Sequence, residues 1–328
     1  MRELERRAAR MLCVGFDGKT PTDELRRLIA RGVSGVVLLA RNCGAPTQVR
    51  ELVTQVKDIA DRPFLTCIDH EGGRVMRLGD GFTRLPSARQ LGRDSSGAAA
   101  REAARTMARE LSACGIDMNF APVMDIDTNP NNPVIGDRSF GDDPNVVARL
   151  GCAMIEQMQR GGLLACAKHF PGHGDTSIDS HLDLPSLDHD MARLRRIELV
   201  PFVSAIEAGV SAIMTAHVVF RSIDPTVPAT MSRPVVDGLL RKEFGFAGVV
   251  ISDDLEMKAI VDHFGIETAV VRGALAGVDL FLICHTPQYQ HLAIEALVKA
   301  VERGEVPRER LEQSARRLDA LESRVARR

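Results

Sequence analysis

Eight short apolar runs recur along the chain, and a longer amphipathic stretch separates each run from the next. The runs are MLCVGF (11–16), GVVLLA (35–40), FLTCID (64–69), DMNFAPV (117–123), LLACAKHF (163–170), SAIMTAHV (211–218), GVVISD (248–253) and LFLIC (280–284). Intervening stretches such as TDELRRLIARG have helical spacing and end in glycine, as helices commonly do. Apolar strands that alternate with helices indicate a parallel sheet covered on both faces. Eight such units predict an α/β fold of the single (β/α)8 TIM-barrel type.

The main alternative is a doubly wound sheet, but its phosphate-binding glycine fingerprint is missing from the sequence. The 328 residues fall within the range of one α/β barrel. No proline- or serine-rich linker interrupts the chain, and two helices are predicted at its end, over 286–304 and 307–325. We therefore expect residues 1–328 to form a single catalytic barrel domain.

Composition excludes several classes of partner. The formal net charge is −2 and there is no basic block, which argues against nucleic-acid binding. The arginine-rich end, RRLDALESRVARR, has the leucine spacing of an ordinary amphipathic helix. No run approaches the ~18 apolar residues of a membrane span. Tryptophan is absent and aromatic residues make up 4%, which favours a short ligand over a long polysaccharide.

The cysteines and the amino-terminal residues bear on the compartment. Seven cysteines are scattered without CxxC pairs, a pattern typical of reduced thiols. The first residues, MRELERRAARMLCVGF, carry charges where a signal peptide needs an apolar segment. We therefore expect a cytoplasmic protein with no membrane partner.

Polar side chains collect at the ends of the predicted strands and in three long connections, 70–96, 124–143 and 171–189. In a barrel the carboxyl ends of the strands meet at one face, where active sites form, and long connections in compact domains are usually functional. The candidates at this face are Asp69, Arg74, Arg77, Arg138, Lys168, His169, His217, Asp253 and Asp254. Carboxylates and cations from different strands suit a hydroxyl-rich ligand and the chemistry of glycoside hydrolysis.

The stretch KHFPGHGDTSIDSH, residues 168–181, holds three histidines and two aspartates. We interpret it as a mobile catalytic loop in which Gly172 and Gly174 act as hinges. If the segment around residue 180 is extended, Asp179 and His181 project to the same side. A carboxylate so placed orients the imidazole and favours its protonated form.

Three segments together carry a family resemblance: KHFPGHGDTSIDSH, IDHEGGRVMRL and VVISDDLEM. They resemble the signatures of glycoside hydrolase family 3, specifically its bacterial single-domain β-N-acetylglucosaminidases (β-hexosaminidases) of the NagZ type. APVMDID and VIGDRSFG also fit, and the similarity covers nearly the whole chain. The resemblance implies a retaining exo-enzyme without cofactor that removes non-reducing terminal N-acetylglucosamine from peptidoglycan fragments during cell-wall recycling.

The same resemblance implies a role for each matching residue. Asp253, the first aspartate of SDD, is implied to be the nucleophile. His181 is implied to be the acid/base, with Asp179 as its partner. Asp254 and His173 are interpreted as supporting residues. The positions that match sugar-binding residues of the family are Asp69, Arg77, Arg138, Lys168 and His169.

Two other functions remain open on the sequence. A metal-dependent hydrolase would use His169, His173, His181 and His217 with an aspartate, but the first strand lacks the HxH pattern of such barrels. A sugar-binding barrel without activity would not need Asp253, Asp179 and His181. The sequence also leaves open chitin oligosaccharides as substrates and phosphate in place of water as acceptor. No metal ligand set is predicted.

Overall fold

The structure is a computed structural model that describes residues 2–325. Eight parallel strands close into a barrel in which each strand pairs with its neighbours in the chain and the last pairs with the first. The barrel strands are β1 (Leu12–Val14), β2 (Gly35–Leu38), β3 (Leu65–Ile68), β4 (Met118–Asn119), β5 (Leu164–Phe170), β6 (Ala212–Thr215), β7 (Val249–Asp254) and β8 (Leu280–Ile283). The predicted (β/α)8 barrel is confirmed.

Helices fill the connections between the strands. Over residues 2–325 the α-helices are α1 (Arg2–Ala9), α2 (Asp23–Arg31), α3 (Pro46–Ile59), α4 (Ala88–Leu91), α5 (Ala98–Ala113), α6 (Pro144–Arg160), α7 (Met191–Arg196), α8 (Val200–Glu207), α9 (Lys258–Val261), α10 (Ile266–Ala276), α11 (Pro287–Glu302) and α12 (Arg308–Val325). A π-helix, Pro234–Glu243, lies between β6 and β7. None of the helices in the described range is both long and apolar enough to span a membrane.

Local sequence signals define the helix ends. Thr22 caps α2 because its side chain accepts a hydrogen bond from the backbone N–H of Leu25 at 3.1 Å. Gly32 ends the same helix in the left-handed conformation, with φ of 110°. A side chain at that position would strain the backbone, so the glycine stops the helix where the sequence predicts.

The barrel interior is filled by alternate residues of its strands. Cys13, Cys67 and Cys166 point inward, and bulkier side chains such as Phe120 and Met214 complete the layer. The side chains of Leu318 and Leu321 on α12 join this cluster from the amino ends of the strands. All seven cysteines are unpaired, and the five buried ones act as small apolar groups in the core.

Several strands are shorter than the apolar runs that predicted them. The run 117–123 forms only the two-residue strand β4. At its start, the Asp117 carboxylate accepts hydrogen bonds from the backbone N–H and the hydroxyl of Thr66, both at 2.9 Å. Near its end Pro122 has no N–H to donate to a neighbouring strand, and Val123 forms an isolated bridge with Lys168. The length of the apolar run therefore overestimates the length of this strand.

The three long connections are ordered and lie at the carboxyl ends of the strands. Residues 70–96 begin with an antiparallel pair, His70–Gly72 with Val75–Met76, and end with α4. Residues 171–189 contain a short strand, Ser186–Leu187, that pairs in parallel with Val219–Phe220. Two of the three connections therefore contain short strand pairings of their own.

The two glycines predicted to be hinges serve a different purpose in the structure. Both are buried. A Cβ on Gly174 would lie 1.7 Å from the carbonyl oxygen of Ile126, and Gly172 has φ of 144° with Glu198 against it. Their role is close backbone packing, so the hinge interpretation of these residues is wrong.

We expect Gly174→Ala to lower the free energy of unfolding by about 2 kcal/mol or more, because the added methyl group would overlap the Ile126 carbonyl. Urea denaturation measures the change. Gly79→Ala is the matched control, since no atom lies within 4 Å of its Cβ position. Equal stability of the two variants would contradict the close packing at Gly174.

Candidate active site

A cavity of about 450 Å³ opens at the carboxyl ends of the strands. Four of the predicted site residues line it: Asp69, Arg77, His181 and Asp253. Asp254 and Phe120 also contribute to its wall. The volume is in the range of small-molecule sites, and the lining mixes apolar surface with a few charged groups, as such sites require.

Asp253 lies near the end of β7 with its carboxylate facing the cavity and 22% of its side chain exposed. One carboxylate oxygen accepts the backbone N–H of Asp254 at 2.8 Å, and the other lies 3.9 Å from Nε2 of His169. Burial opposes ionisation of this carboxyl. The nearby imidazoles of His169 and His217 and the N–H of Asp254 outweigh it and hold the pKa of Asp253 at about 2. Asp253 is therefore a rigidly mounted anion at neutral pH.

The neighbouring carboxylate of Asp254 is occupied by structural contacts. It accepts backbone N–H groups from Glu256 at 3.1 Å and Cys284 at 3.3 Å. Its second oxygen lies 3.4 Å from Nε2 of His285. The Asp253 carboxylate therefore accepts fewer hydrogen bonds from the protein than the Asp254 carboxylate does. This agrees with the prediction that Asp253 is the nucleophile.

His169 is oriented by a buried residue that the sequence reasoning did not single out, Asp125. The Asp125 carboxylate is fully buried and lies 2.7 Å from Nδ1 of His169. Its pKa is lowered because the contacts with His169 and His173 outweigh burial, so it is an acceptor only. Nδ1 of His169 therefore donates to Asp125, and the same ring orientation places Nε2 3.9 Å from a carboxylate oxygen of Asp253. Asp125 belongs to the segment APVMDID, which fits the family resemblance, but its burial and its contact with His169 appear only in the structure.

A chain of ion pairs lies beneath the cavity floor. Lys168 donates to Asp69 and contacts Glu71, each at 2.6 Å. Arg138 donates two hydrogen bonds to Glu71, at 2.9 and 2.8 Å. Glu71 is a second residue that sequence reasoning missed. Although burial opposes its ionisation, Arg138 and Lys168 hold its pKa well below the ordinary range.

The predicted sugar-binding residues therefore occupy two layers. Asp69 and Arg77 line the cavity, and their side chains are 22% and 35% exposed. Lys168, His169 and Arg138 lie behind them with side chains at most 11% exposed. The outer layer is placed to contact a ligand, and the inner layer fixes the outer one. Arg74, also a candidate, instead pairs with Asp137 at 2.7 Å on the surface.

Asp179 and His181 are in contact, as predicted. Nδ1 of His181 lies 2.8 Å from the Asp179 carboxylate, which also accepts the backbone N–H of His181 at 2.8 Å. The segment is a turn, because the Asp179 carbonyl accepts from Leu182 and Asp183. The extended conformation assumed from the sequence is wrong, but the pairing arises because Asp179 caps this turn.

The turn that carries this pair is fixed from below by His173. Its Nδ1 lies 2.8 Å from the hydroxyl of Thr176, and its Nε2 lies 3.0 Å from the hydroxyl of Ser180. Burial lowers the pKa of His173 to about 4, so it bridges these residues as a neutral ring. Its interpretation as a supporting residue agrees with these contacts.

The histidines do not form a metal-binding cluster. Both ring nitrogens of His173 are engaged, and those of His217 contact Thr230 and the carbonyl of Asp254. Among residues 2–325, no group of three or more histidine, cysteine or acidic side chains is arranged to hold a metal ion. The rival metal-centre interpretation lacks a ligand set in this part of the chain.

Comparison with known families identifies the chain. The pattern described as "Glycosyl hydrolase family 3 N terminal domain" matches residues 3–321. The chain belongs to glycoside hydrolase family 3. The family predicted from the three sequence segments is thereby confirmed.

Relatives within family 3 cover most of the chain. A "Beta-hexosaminidase" of Neisseria meningitidis serogroup C is 42% identical over 272 residues, which is 81% of this chain and 75% of the relative. Native NagZ from Neisseria gonorrhoeae superposes with a TM-score of 0.80 at 33% identity, covering 96% of each chain. A family 3 β-N-acetylglucosaminidase from Paenibacillus sp. superposes with a TM-score of 0.97 at 44% identity. That match covers 98% of this chain and 62% of the longer Paenibacillus protein.

Proposed function

We propose that this family 3 chain is a retaining exo-β-N-acetylglucosaminidase that acts by double displacement. Asp253 is the nucleophile, His181 is the acid/base and Asp179 orients His181. The observation that carries the proposal is that an ionised, fixed carboxylate and a carboxylate-paired imidazole line the same cavity. The similarity to a β-hexosaminidase and to a β-N-acetylglucosaminidase supports the sugar specificity.

The first step forms a glycosyl-enzyme. A carboxylate oxygen of Asp253 attacks C1 of the sugar while the bond from C1 to the aglycone oxygen breaks. His181 donates its proton to the departing oxygen. In the second step His181 takes a proton from water, the water oxygen bonds to C1, and the ester bond to Asp253 breaks. The configuration at C1 is retained because it inverts twice.

The two layers of charged residues have separate tasks in this mechanism. Asp69 and Arg77 reach the cavity and are suited to bind sugar hydroxyls. Lys168 fixes Asp69, and Arg138 neutralises Glu71 beneath it. His169, held by Asp125, directs Nε2 toward the nucleophile and favours its anionic form. We also propose residues 1–328 as one catalytic domain, since its cavity draws on strands from around the barrel.

A muropeptide fragment is the proposed substrate, because the cavity rim carries the basic side chains of Arg41, Lys258 and His285. The acidic side chains of the rim, Asp254 and Glu256, already accept backbone N–H groups. Arg41 donates to the carbonyls of Phe16 and Cys284 at 2.9 and 2.6 Å, and it also pairs with the exposed Asp17 at 2.7 Å. Lys258 also lines the rim, and the hydrogen bond to Asp254 raises the pKa of His285. These groups suit an aglycone that carries carboxylates, such as a peptide-bearing muramic acid, better than the neutral sugar of a chitin oligosaccharide.

We place this activity in the cytoplasm, as part of cell-wall recycling. The support is chemical: all seven cysteines are free, and four of them lie inside the barrel wall, where a disulfide would disturb the packing. Such thiols suit a reducing compartment.

Trapping the intermediate tests the nucleophile. A 2- or 5-fluoro N-acetylglucosaminide analogue should leave a covalent adduct on Asp253, detected by mass spectrometry of the peptide containing ISDD. Asp253→Ala should lose at least ~10³-fold in kcat with an unchanged circular dichroism spectrum. NMR spectra of the early reaction test the stereochemistry. With water as the acceptor, the first product should be the β anomer of N-acetylglucosamine. With phosphate as the acceptor, it should be the β anomer of N-acetylglucosamine 1-phosphate. An adduct on Asp254 or an initial α product would overturn the mechanism.

Substitution of the dyad tests the acid/base. His181→Ala should greatly reduce turnover of unactivated glycosides but affect formation of the glycosyl-enzyme from activated aryl glycosides much less, because a good leaving group needs little protonation. Asp179→Ala should act in the same direction and add little in the double variant, since the two residues form one unit. Independent, multiplying losses would contradict the dyad, and so would rescue by zinc.

The aglycone preference is measured with matched substrates. We expect Lys258→Gln to lower kcat/KM for a peptide-bearing muropeptide by about 3–10-fold, because one exposed charge contact contributes about this much. The kcat/KM for chitobiose should not change. Lys299→Gln on α11 is the control, since Lys299 lies outside the cavity and is 54% exposed. A uniform effect on both substrates would argue against an anionic aglycone.

A further inference from the structure

The arginine-rich segment at the end of the sequence has a place in the fold that the proposed activity does not use. It belongs to α12, which lies across the amino ends of the strands, at the end of the barrel opposite the active site. Arginines of α12 and of the π-helix line two cavities there that share Gln313 and Arg317. We call this surface the arginine groove and define it by Arg241, Arg310, Arg316, Arg317 and Arg324.

One buried carboxylate contacts three of these arginines. Asp279 is fully buried and is contacted by Arg241 at 2.5 Å, Arg310 at 2.8 Å and Arg317 at 3.1 Å. The same carboxylate also accepts from the hydroxyl of Ser314 and the N–H of Val250. One negative charge therefore faces three guanidinium groups, and its oxygens have little capacity for further donors.

Two buried side-chain nitrogens in this cluster have no hydrogen-bond partner. They are Nη1 of Arg310 and Nε of Arg241. The side chains of both arginines are only 10% exposed. Burial and then the neighbouring cations lower the pKa of Arg241 to about 10, although Asp279 opposes the change. An unpaired buried donor beside excess positive charge is costly unless an acceptor reaches it.

The two cavities extend this excess of charge to the surface. The cavity beside Arg310 has a volume of about 320 Å³ and is lined by five basic and two acidic side chains. One of those acids, Asp237, is already paired with Lys242 at 2.8 Å. The adjoining cavity, of about 280 Å³, has Arg316, Arg317 and Arg324 in its lining and no acidic side chain from the described residues. The concentration is local, because the whole chain has a net charge of −2.

We propose that the arginine groove binds a small phosphate-bearing anion at a site separate from the active site. Guanidinium groups recognise phosphate oxygens through paired N–H donors. The cavities are of the size of a phosphate monoester and not of a polymer, and the overall charge does not favour a nucleic acid. Free phosphate esters and phospholipid headgroups share this chemistry, and the experiment separates them.

Calorimetric titration with inorganic phosphate and with glycerol 3-phosphate tests the site. Saturating N-acetylglucosamine is present throughout, so that phosphate bound at the active site does not contribute. We expect the unmodified protein to bind the phosphate ligands at one site. In the variant Arg316→Gln/Arg324→Gln, the affinity for these ligands should weaken by about 5-fold or more. Both arginines are exposed, so this variant should fold, and its glycosidase activity should be unchanged.

The control variant is Arg26→Gln/Arg50→Gln, which removes the same charge from exposed positions on α2 and α3. Its affinity for phosphate should equal that of the unmodified protein. An equal loss of phosphate affinity in both variants would show that the effect depends only on overall charge, and it would overturn the proposal. So would the absence of binding, or capture by phosphatidylglycerol vesicles without any affinity for the soluble phosphates.

Discussion

The active site is organised around the buried carboxylate of Asp125. This one group accepts the backbone N–H and ring Nδ1 of His169 and the backbone N–H of His173. It therefore joins the connection after β4 to the connection after β5, orients His169 toward Asp253, and fixes the start of the segment that carries Asp179 and His181. Because a buried carboxylate must have its acceptor capacity filled, these donors are strongly held in place.

Buried carboxylates also hold cationic side chains in place at both ends of the barrel, but the balance of charge differs between the two ends. At the carboxyl ends, Glu71 is matched by Lys168 and Arg138, and Lys168 continues to Asp69. That network presents the ordered carboxylate of Asp69 to the cavity. At the amino ends, Asp279 alone faces three arginines, which leaves donors free.

The sequence predicted the groups that reach the cavity better than those behind them. Asp253, His181, Asp69 and Arg77 stand at strand ends or in a motif, and they do line one cavity. Asp125 and Glu71 lie within the same recognisable segments, yet nothing in the sequence indicates that they are buried and that they orient other residues. The assumed hinges failed for a related reason, because the approach of Ile126 to Gly174 is visible only in three dimensions.

By itself the sequence determined the barrel, its eight strands, the family and the residues that resemble family 3 site positions. Apolar periodicity and glycine at helix ends are local properties, and they carry this information along the chain. Only the tertiary structure decided the turn that pairs Asp179 with His181, the two layers of charged residues, and the excess of arginine around Asp279. Those features depend on which side chains from distant segments share a buried volume. Desolvation and charge compensation act on that three-dimensional neighbourhood, and sequence spacing does not encode it.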